Sequence, residues 1–472
     1  MREYELVSGF ETHVELSTKS KIFCPCTTQF GSEPNTHCCP ICIGLPGTMP
    51  LLNKEVVHFA IKAGLATHCE IAEIAKMDRK NYVYPDLPKA YQISQYDKPL
   101  CQNGYIQLSN GRKIRILRIH IEEDAGKLVH EKGNTYVDYN RGGVPLIEIV
   151  SEPDIRSIDE AIEYVEKLQL IMKYIGVSDC KMQEGSLRCD VNISVREKGS
   201  DKFGTRTEIK NMNSFTFIRQ AMQYEYDRQI DLIESGEEVV QETLRFDTET
   251  GETASMRSKE DAHDYRYFRE PDLVTIKTER ERVEEIRNEL PELPDAKFDR
   301  YVNEYGLSET DAAIIVKYRK VAEFMDEVAK NVNKPKTVAN FIITQIFRKL
   351  PTESDKEAFD VKISAESLVS LIKLLEEGKI NNNLAKSTLE KMLESGKTPD
   401  ELIDKSDLGG VDESELKGIC EQVIASNEKV VNDIKGGKTA AFGALVGGVM
   451  KLTRGKADAR LATKLLHELL GM

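Results

Sequence analysis

Five of the ten cysteines fall between Cys24 and Cys42. They form a C-x-C pair, Cys24-Pro-Cys26, and a C-x-x-C pair, Cys39-Pro-Ile-Cys42, with Cys38 just ahead of the second. Two thiolate pairs offered from two tight turns are what tetrahedral Zn²⁺ with four sulfur ligands requires. Gly31, Pro34, Pro40, Gly44 and Pro46 supply such turns. A closed four-thiolate shell leaves no open coordination position, so its role would be structural. The alternative is a loop that packs without metal, with His37 and Cys38 as substitute ligands.

A second set of residues offers oxygen ligands. Glu11 and His13 sit in GFETHVEL, Glu122-Glu123-Asp124 in RIHIEEDAGK, and Glu148 in VPLIEIV. An ionised carboxylate inside an apolar strand such as that of Glu148 is costly unless a cation or donor meets it. Oxygen ligands with one imidazole suit Mg²⁺ or Mn²⁺ beside a phosphate. For that segment alone, the solvated face of an edge strand is the preferred reading of Glu11, His13 and Glu15. The metal reading requires the three strands to adjoin, and one sequence does not give their pairing.

Phosphate-cradling signatures of the common kinds are absent. Gly436-Gly437-Lys438-Thr439 resembles the end of a P-loop, but Asn432 stands where the leading glycine belongs and the preceding segment reads as helix. Any ATP would therefore be bound by an unusual site. DRKNYVYPDLPKAYQIS (78–94) and DYRYFREPD (264–272) combine arginine and tyrosine in compact segments, the first with lysine as well. Such cations suit phosphates and tyrosine can stack on a base, although a packed surface loop has the same composition.

These residues need elements to hold them. Phe10, Thr12, Val14 and Leu16 alternate with Glu11, His13 and Glu15, which predicts a strand with one polar face over Gly9–Ser17. Further strands are expected at Ile114–Ile121, Thr135–Tyr139, Val144–Val150 and Val191–Arg196. Ser157-x-x-Glu160 reads as a capping box opening a helix that runs to Gly176. Helices are too few here for repeated βαβ units, so the fold class is α+β around a largely antiparallel sheet. Beyond Leu290-Pro291-Glu292-Leu293-Pro294 nearly every segment reads as helix: Ala312–Asn331, Thr337–Leu350, Ala365–Glu377 and Leu384–Ser395. A polar stretch, Lys405–Glu413, reads as a linker before a small helical tail that turns basic after Val430.

The 472 residues suggest about three domains. A 40% apolar and 31% charged composition excludes a mainly disordered chain. No run approaches the ~18 apolar residues that span a bilayer. The start of the chain lacks a signal-peptide h-region, and unpaired cysteines fit a reducing cytoplasm. The net charge of −14 confines any nucleic-acid contact to local basic patches.

Taken together, the strings GFETHVEL, DRKNYVYPDLPKAYQIS, RIHIEEDAGK, RGGVPLIEIVSEPD, MQEGSLRCDVNIS, EIKNMNSF and DYRYFREPD closely resemble the B subunit of the Asp/Glu-tRNA amidotransferases. The tail KTAAFGALVGGVMKLTRGKADARL resembles the family's ending, except that Gly455-Lys456-Ala457-Asp458-Ala459 stands where GKANP is usual. The resemblance implies a catalytic cradle domain (1–293), a helical domain (294–405) and a tRNA-binding tail (406–472). It implies ATP-dependent activation of Glu or Asp misacylated on tRNA, then attack by ammonia from an amidase-fold A subunit tied in by a small C subunit. No Ser-Ser-Lys amidase signature occurs in the chain. By resemblance His13, Glu123 and Glu148 hold Mg²⁺, with Glu11 and Glu122 as neighbouring candidates, and Lys451, Arg454 and Lys456 contact tRNA. Zinc binding does not follow from membership, because the cysteine set varies within the family.

Overall fold

The computed structural model describes residues 3–258, 265–404, 408, 413–435, 441–453, 457 and 459–471. The chain divides into two compact units, Met1–Leu293 and Pro294–Met472. The first is built on a sheet and the second is helical, so the fold is mixed α+β.

Nine strands form the main sheet: β1 (Tyr4–Glu15), β2 (Glu70–Ile71), β3 (Cys101–Gln107), β4 (Lys113–Glu123), β5 (Pro145–Ser151), β6 (Leu187–Glu197), β7 (Thr207–Met212), β8 (Glu242–Phe246) and β9 (Thr253–Ser258). Their order is β9-β8-β7-β6-β1-β5-β4-β3-β2. Every neighbouring pair is antiparallel except β7 with β8. The β3–β4 hairpin turns through Asn110-Gly111, where Gly111 adopts φ +82°.

The period of two in the sequence becomes two chemically different faces. Phe10, Thr12 and Val14 of β1, Ile147 and Ile149 of β5, Ile119 and Ile121 of β4, and Val191 and Ile193 of β6 are buried together. Helices Lys54–Ala66, Ile158–Tyr174 and Phe215–Ser235 contribute to that core, and the Tyr164 ring lies 6.0 Å from Phe10. The opposite face carries Glu11, His13, Glu148, His120, Glu122, Arg188, Asp190 and Glu208. Covering only one face with helices leaves the other free for polar chemistry.

Ser157 caps its helix as the sequence indicates, accepting from the Glu160 amide at 3.1 Å. The reciprocal bond is displaced by one residue: the Glu160 carboxylate accepts from the Arg156 amide at 2.8 Å. A small sheet of Asp78–Asn81, Tyr91–Ser94 and Phe268–Arg269 packs beside the end of β4, joining the two tyrosine-rich segments. The Ile93 amide donates to Glu123 Oε1 at 2.8 Å, and Gln92 Nε2 donates to the Glu123 carbonyl at 2.8 Å.

In the second unit the single helix expected over Ala312–Asn331 is two, Glu309–Val316 and Arg319–Ala329. Tyr318 between them is extended, with φ −119° and ψ 108°. Its buried ring packs edge-on to Phe347 and its hydroxyl donates to Glu353 Oε2 at 2.7 Å. Those tertiary contacts outweigh the local helical pattern. The stretch Thr337–Leu350 forms one helical run from Pro335 that passes through a π segment, Ile342–Ile346. The tail packs Leu416, Cys420, Val423, Leu445, Val449, Leu465 and Leu466 into its own apolar cluster. No helix among the described residues is long and apolar enough to cross a membrane.

Candidate active site

The three acid-bearing strands adjoin. His13 on β1 lies directly opposite Glu148 on β5, and Glu148 lies opposite His120 on β4. Glu122 follows His120 by two residues and so rises from the same face. His13 Nε2 is 3.7 Å from Glu122 Oε1 and 3.8 Å from Glu148 Oε2. One ligand atom from each of His13, Glu122 and Glu148 falls within 4.8 Å of the other two. One imidazole and two carboxylates at this spacing fit a hard divalent cation that keeps further positions for water or phosphate oxygen.

His120 is buried behind this trio, with Nε2 3.1 Å from Glu148 Oε2. Burial alone would discharge it, but the Glu148 and Glu122 carboxylates raise its pKa to about 9. Burial disfavours ionised Glu148 in the same way, and the charges of His120, His13 and Lys80 overcome this and hold its carboxyl well below the usual range.

Glu123 is not part of the trio. Successive residues of a strand point to opposite faces, so Glu123 follows Ile119 and Ile121 while Glu122 follows His120. There Glu123 binds Lys89 Nζ through both oxygens, at 2.5 and 2.6 Å, in addition to the Ile93 amide. Of the expected candidates, the geometry groups His13, Glu122 and Glu148, and Glu123 lies outside that group. Glu11, two residues from His13 on the same face, belongs to a neighbouring cluster with Asp190 and Glu208. Lys210 Nζ neutralises part of it, lying 2.9 Å from both Asp190 and Glu208, and Asn192 donates to Glu11 at 3.2 Å. Burial, then Glu148 and Glu208, raise the Glu11 pKa.

Sequence reasoning passed over His120, Asp190, Glu208 and Lys210. The signal for His120 was present: it alternates with Ile119 and Ile121 and shares the parity of Glu122. The other three are revealed only by the pairing of β6 and β7 with β1.

Sγ atoms of Cys24, Cys26, Cys39 and Cys42 lie within 4.8 Å of one another, a donor set that fits tetrahedral Zn²⁺. The Cys39 amide donates to Cys42 Sγ at 3.1 Å. A hydrogen bond from the Cys24 thiol draws the Cys42 pKa well below the ordinary thiol value. Cys38 falls outside this group, 3.9 Å from Asn140 Oδ1. In the tail, Lys451 is exposed on helix Phe442–Leu452. Arg454, Lys456 and the Gly436-Gly437-Lys438-Thr439 segment lie outside the described residues.

The family model for the GatB/GatE catalytic domain matches residues 6–284, which carry all but the first two residues of the sheet and its polar face, and the GatB domain model matches residues 323–470. The chain belongs to the B-subunit family of the aspartyl/glutamyl-tRNA(Asn/Gln) amidotransferases. It is 54% identical over 474 residues to the aspartyl/glutamyl-tRNA(Asn/Gln) amidotransferase B subunit of Caldicellulosiruptor saccharolyticus, covering 99% of each chain. The protein of the same name from Thermoanaerobacter pseudethanolicus is 53% identical and that from Thermodesulfovibrio yellowstonii 49%, again over 99% of both chains. Membership is thus carried by the full length, not by one motif.

Proposed function

We propose that the polar face of the main sheet activates the side-chain carboxyl of Glu or Asp misacylated on tRNA, with His13, Glu122 and Glu148 holding Mg²⁺. As a B subunit of the tRNA-dependent amidotransferases, the chain works in an ATP-dependent ligase that forms Gln-tRNA and Asn-tRNA together with other subunits. A carboxylate is a poor acyl electrophile, and phosphorylation by ATP gives it a leaving group that ammonia can displace. Mg²⁺ supplies compensation for charge on the transferred phosphoryl oxygens. Within the chain, Glu122 and Glu148 provide the anionic donors, His13 the imidazole, and His120 the hydrogen bond that orients Glu148. The observation that carries this reading is the adjacency of β1, β5 and β4, which gathers the donors into one cluster.

The same reading extends to the rest of the chain. An amidase-fold A subunit releases ammonia from glutamine and a small C subunit ties the pair together, so this chain needs no glutaminase centre. The four-cysteine knuckle takes structural Zn²⁺. The tail, with Lys451, Arg454 and Lys456, grips tRNA phosphates.

Glu148→Gln in the assembled complex tests the catalytic core of this reading. It keeps side-chain size and removes one anionic ligand, so tRNA-dependent ATP cleavage and amidation should both be lost at limiting Mg²⁺. Normal amidation by that variant would leave the chain a tRNA-binding scaffold.

A further inference from the structure

Lys80 lies on the middle strand of the small sheet, Asp78–Asn81, paired with Gln92. Its ammonium is 4.8 Å from the centre of the Tyr265 ring and 5.7 Å from that of Tyr82. Tyr267 packs edge-on to Tyr265 and stacks at 4.3 Å on Tyr96. Its strand partner Gln92 donates to the Glu123 carbonyl at 2.8 Å, and Ser94, two residues from Gln92 on the same face, donates to Glu122 Oε2 at 3.4 Å, which sets this face of the small sheet against the trio. Although burial opposes its charge, Glu122, Tyr267, Tyr82 and Glu148 hold Lys80 above the ordinary lysine pKa. Yet no hydrogen bond and no ion pair within 4.0 Å joins the Lys80 ammonium to any described residue, unlike Lys89 with Glu123 or Lys210 with Asp190 and Glu208.

This is an unusual way to hold a lysine. Aromatic faces fix a cation by their quadrupole without consuming any N–H donor. Among the described residues none takes any of the ammonium's three donors, which leaves them for a ligand. Two carboxylates would balance a divalent cation, so the ammonium would add to the positive charge of the site. A compact cation with free donors suits a phosphate oxygen.

We propose that Lys80 is a catalytic residue that holds the γ-phosphoryl group of ATP while it passes to the substrate carboxylate. In that step the bond from the γ-phosphorus to the β,γ-bridging oxygen breaks, and its electron pair leaves with ADP. A side-chain carboxylate oxygen forms the new bond to phosphorus. Ammonia then attacks the acyl carbon, inorganic phosphate departs with the electron pair of the C–O bond, and the nitrogen loses a proton to water. Lys80 contacts the phosphoryl oxygens through transfer and neutralises the departing phosphate. The inference rests on the metal reading of His13, Glu122 and Glu148 and adds the second cation to it.

The test uses the complete heteromeric complex carrying Lys80→Met or Lys80→Arg, with Glu148→Gln as reference. Removing one preorganised donor to developing charge should lower kcat for tRNA-dependent ATP cleavage by about 100-fold or more in Lys80→Met. Its KM for misacylated tRNA should stay within about threefold, since the contact acts in the transition state. Lys80→Arg should recover at least about tenfold of the loss. Mn²⁺ binding should persist in Lys80→Met and disappear in Glu148→Gln. Three results would overturn the assignment: kcat within about threefold of wild type, a loss confined to KM for tRNA, or normal ATP cleavage with no amide formed. Loss of Mn²⁺ binding in Lys80→Met would also overturn it, by making the lysine structural. Retained Mn²⁺ binding in Glu148→Gln would instead refute the metal reading, independently of Lys80.

Discussion

His13 and Glu148 face each other across the β1–β5 pair, with His13 Nε2 3.8 Å from Glu148 Oε2, and His120 reaches the same carboxylate from the other side at 3.1 Å. Glu148 is thus shared between a residue open to the site and one sealed behind it. Partners that orient a metal-binding carboxylate typically matter about 10- to 100-fold in metal affinity or activity. His120→Gln should therefore reduce amidation within that range while the complex still assembles. Wild-type activity in that variant, measured at limiting Mg²⁺, would show that His120 orients nothing.

Glu122→Gln and Glu123→Gln should separate chemistry from stability. Glu122→Gln removes a donor of the proposed metal site and is expected to abolish ATP cleavage with little change in thermal unfolding. Glu123→Gln leaves Lys89 half-buried without its carboxylate, and uncompensated charges of this kind cost about 3–5 kcal/mol when fully buried and less here. Its Tm should fall, while amidation from free ammonia, per folded complex, is retained. The account fails if the two variants exchange these phenotypes.

The knuckle gives a prediction at single-residue resolution. Purified protein should carry one equivalent of zinc, lost in Cys39→Ser and kept in Cys38→Ser, because Cys39 and not Cys38 stands within 4.8 Å of Cys24, Cys26 and Cys42. Chelation should lower the Tm of the wild type and leave that of Cys39→Ser unchanged. Elemental analysis that finds no zinc in chelator-free preparations would refute this.

For the tail, deleting residues 406–472 should raise KM for aminoacyl-tRNA and flatten its dependence on salt, since phosphate contacts release counterions on binding. Lys451→Glu should move both quantities in the same direction by less. Amidation from free ammonia should remain detectable at high tRNA concentration. Equal tRNA affinities for the full and shortened complexes at two salt concentrations would make the basic residues a solvated helix face.

How much of this was legible in the sequence depends on range. The alternation of β1 announced its two faces because core and polar surface differ at every residue. The knuckle was legible because its ligands sit in two local turns. The parity of RIHIEEDAGK also carried the placement of Glu122: Ile119 and Ile121 mark the core side, which Glu123 continues, while His120 and Glu122 take the other. What the chain could not disclose is that β1 lies between β5 and β6, since pairing across roughly 130 to 190 residues is set by tertiary packing. Asp190, Glu208 and Lys210 therefore stayed hidden. Tyr318 failed for a related reason, because its helix-breaking contacts with Phe347 and Glu353 come from distant parts of the chain.

The central claim is that His13, Glu122 and Glu148 form one divalent-cation site. Titrating Mn²⁺ into the purified complex, followed by electron paramagnetic resonance, tests it without relying on turnover. The wild type should bind an ion in this site, and His13→Ala, Glu122→Gln and Glu148→Gln should each lose it while Glu123→Gln keeps it. Loss in Glu123→Gln together with retention in Glu122→Gln would contradict the claim.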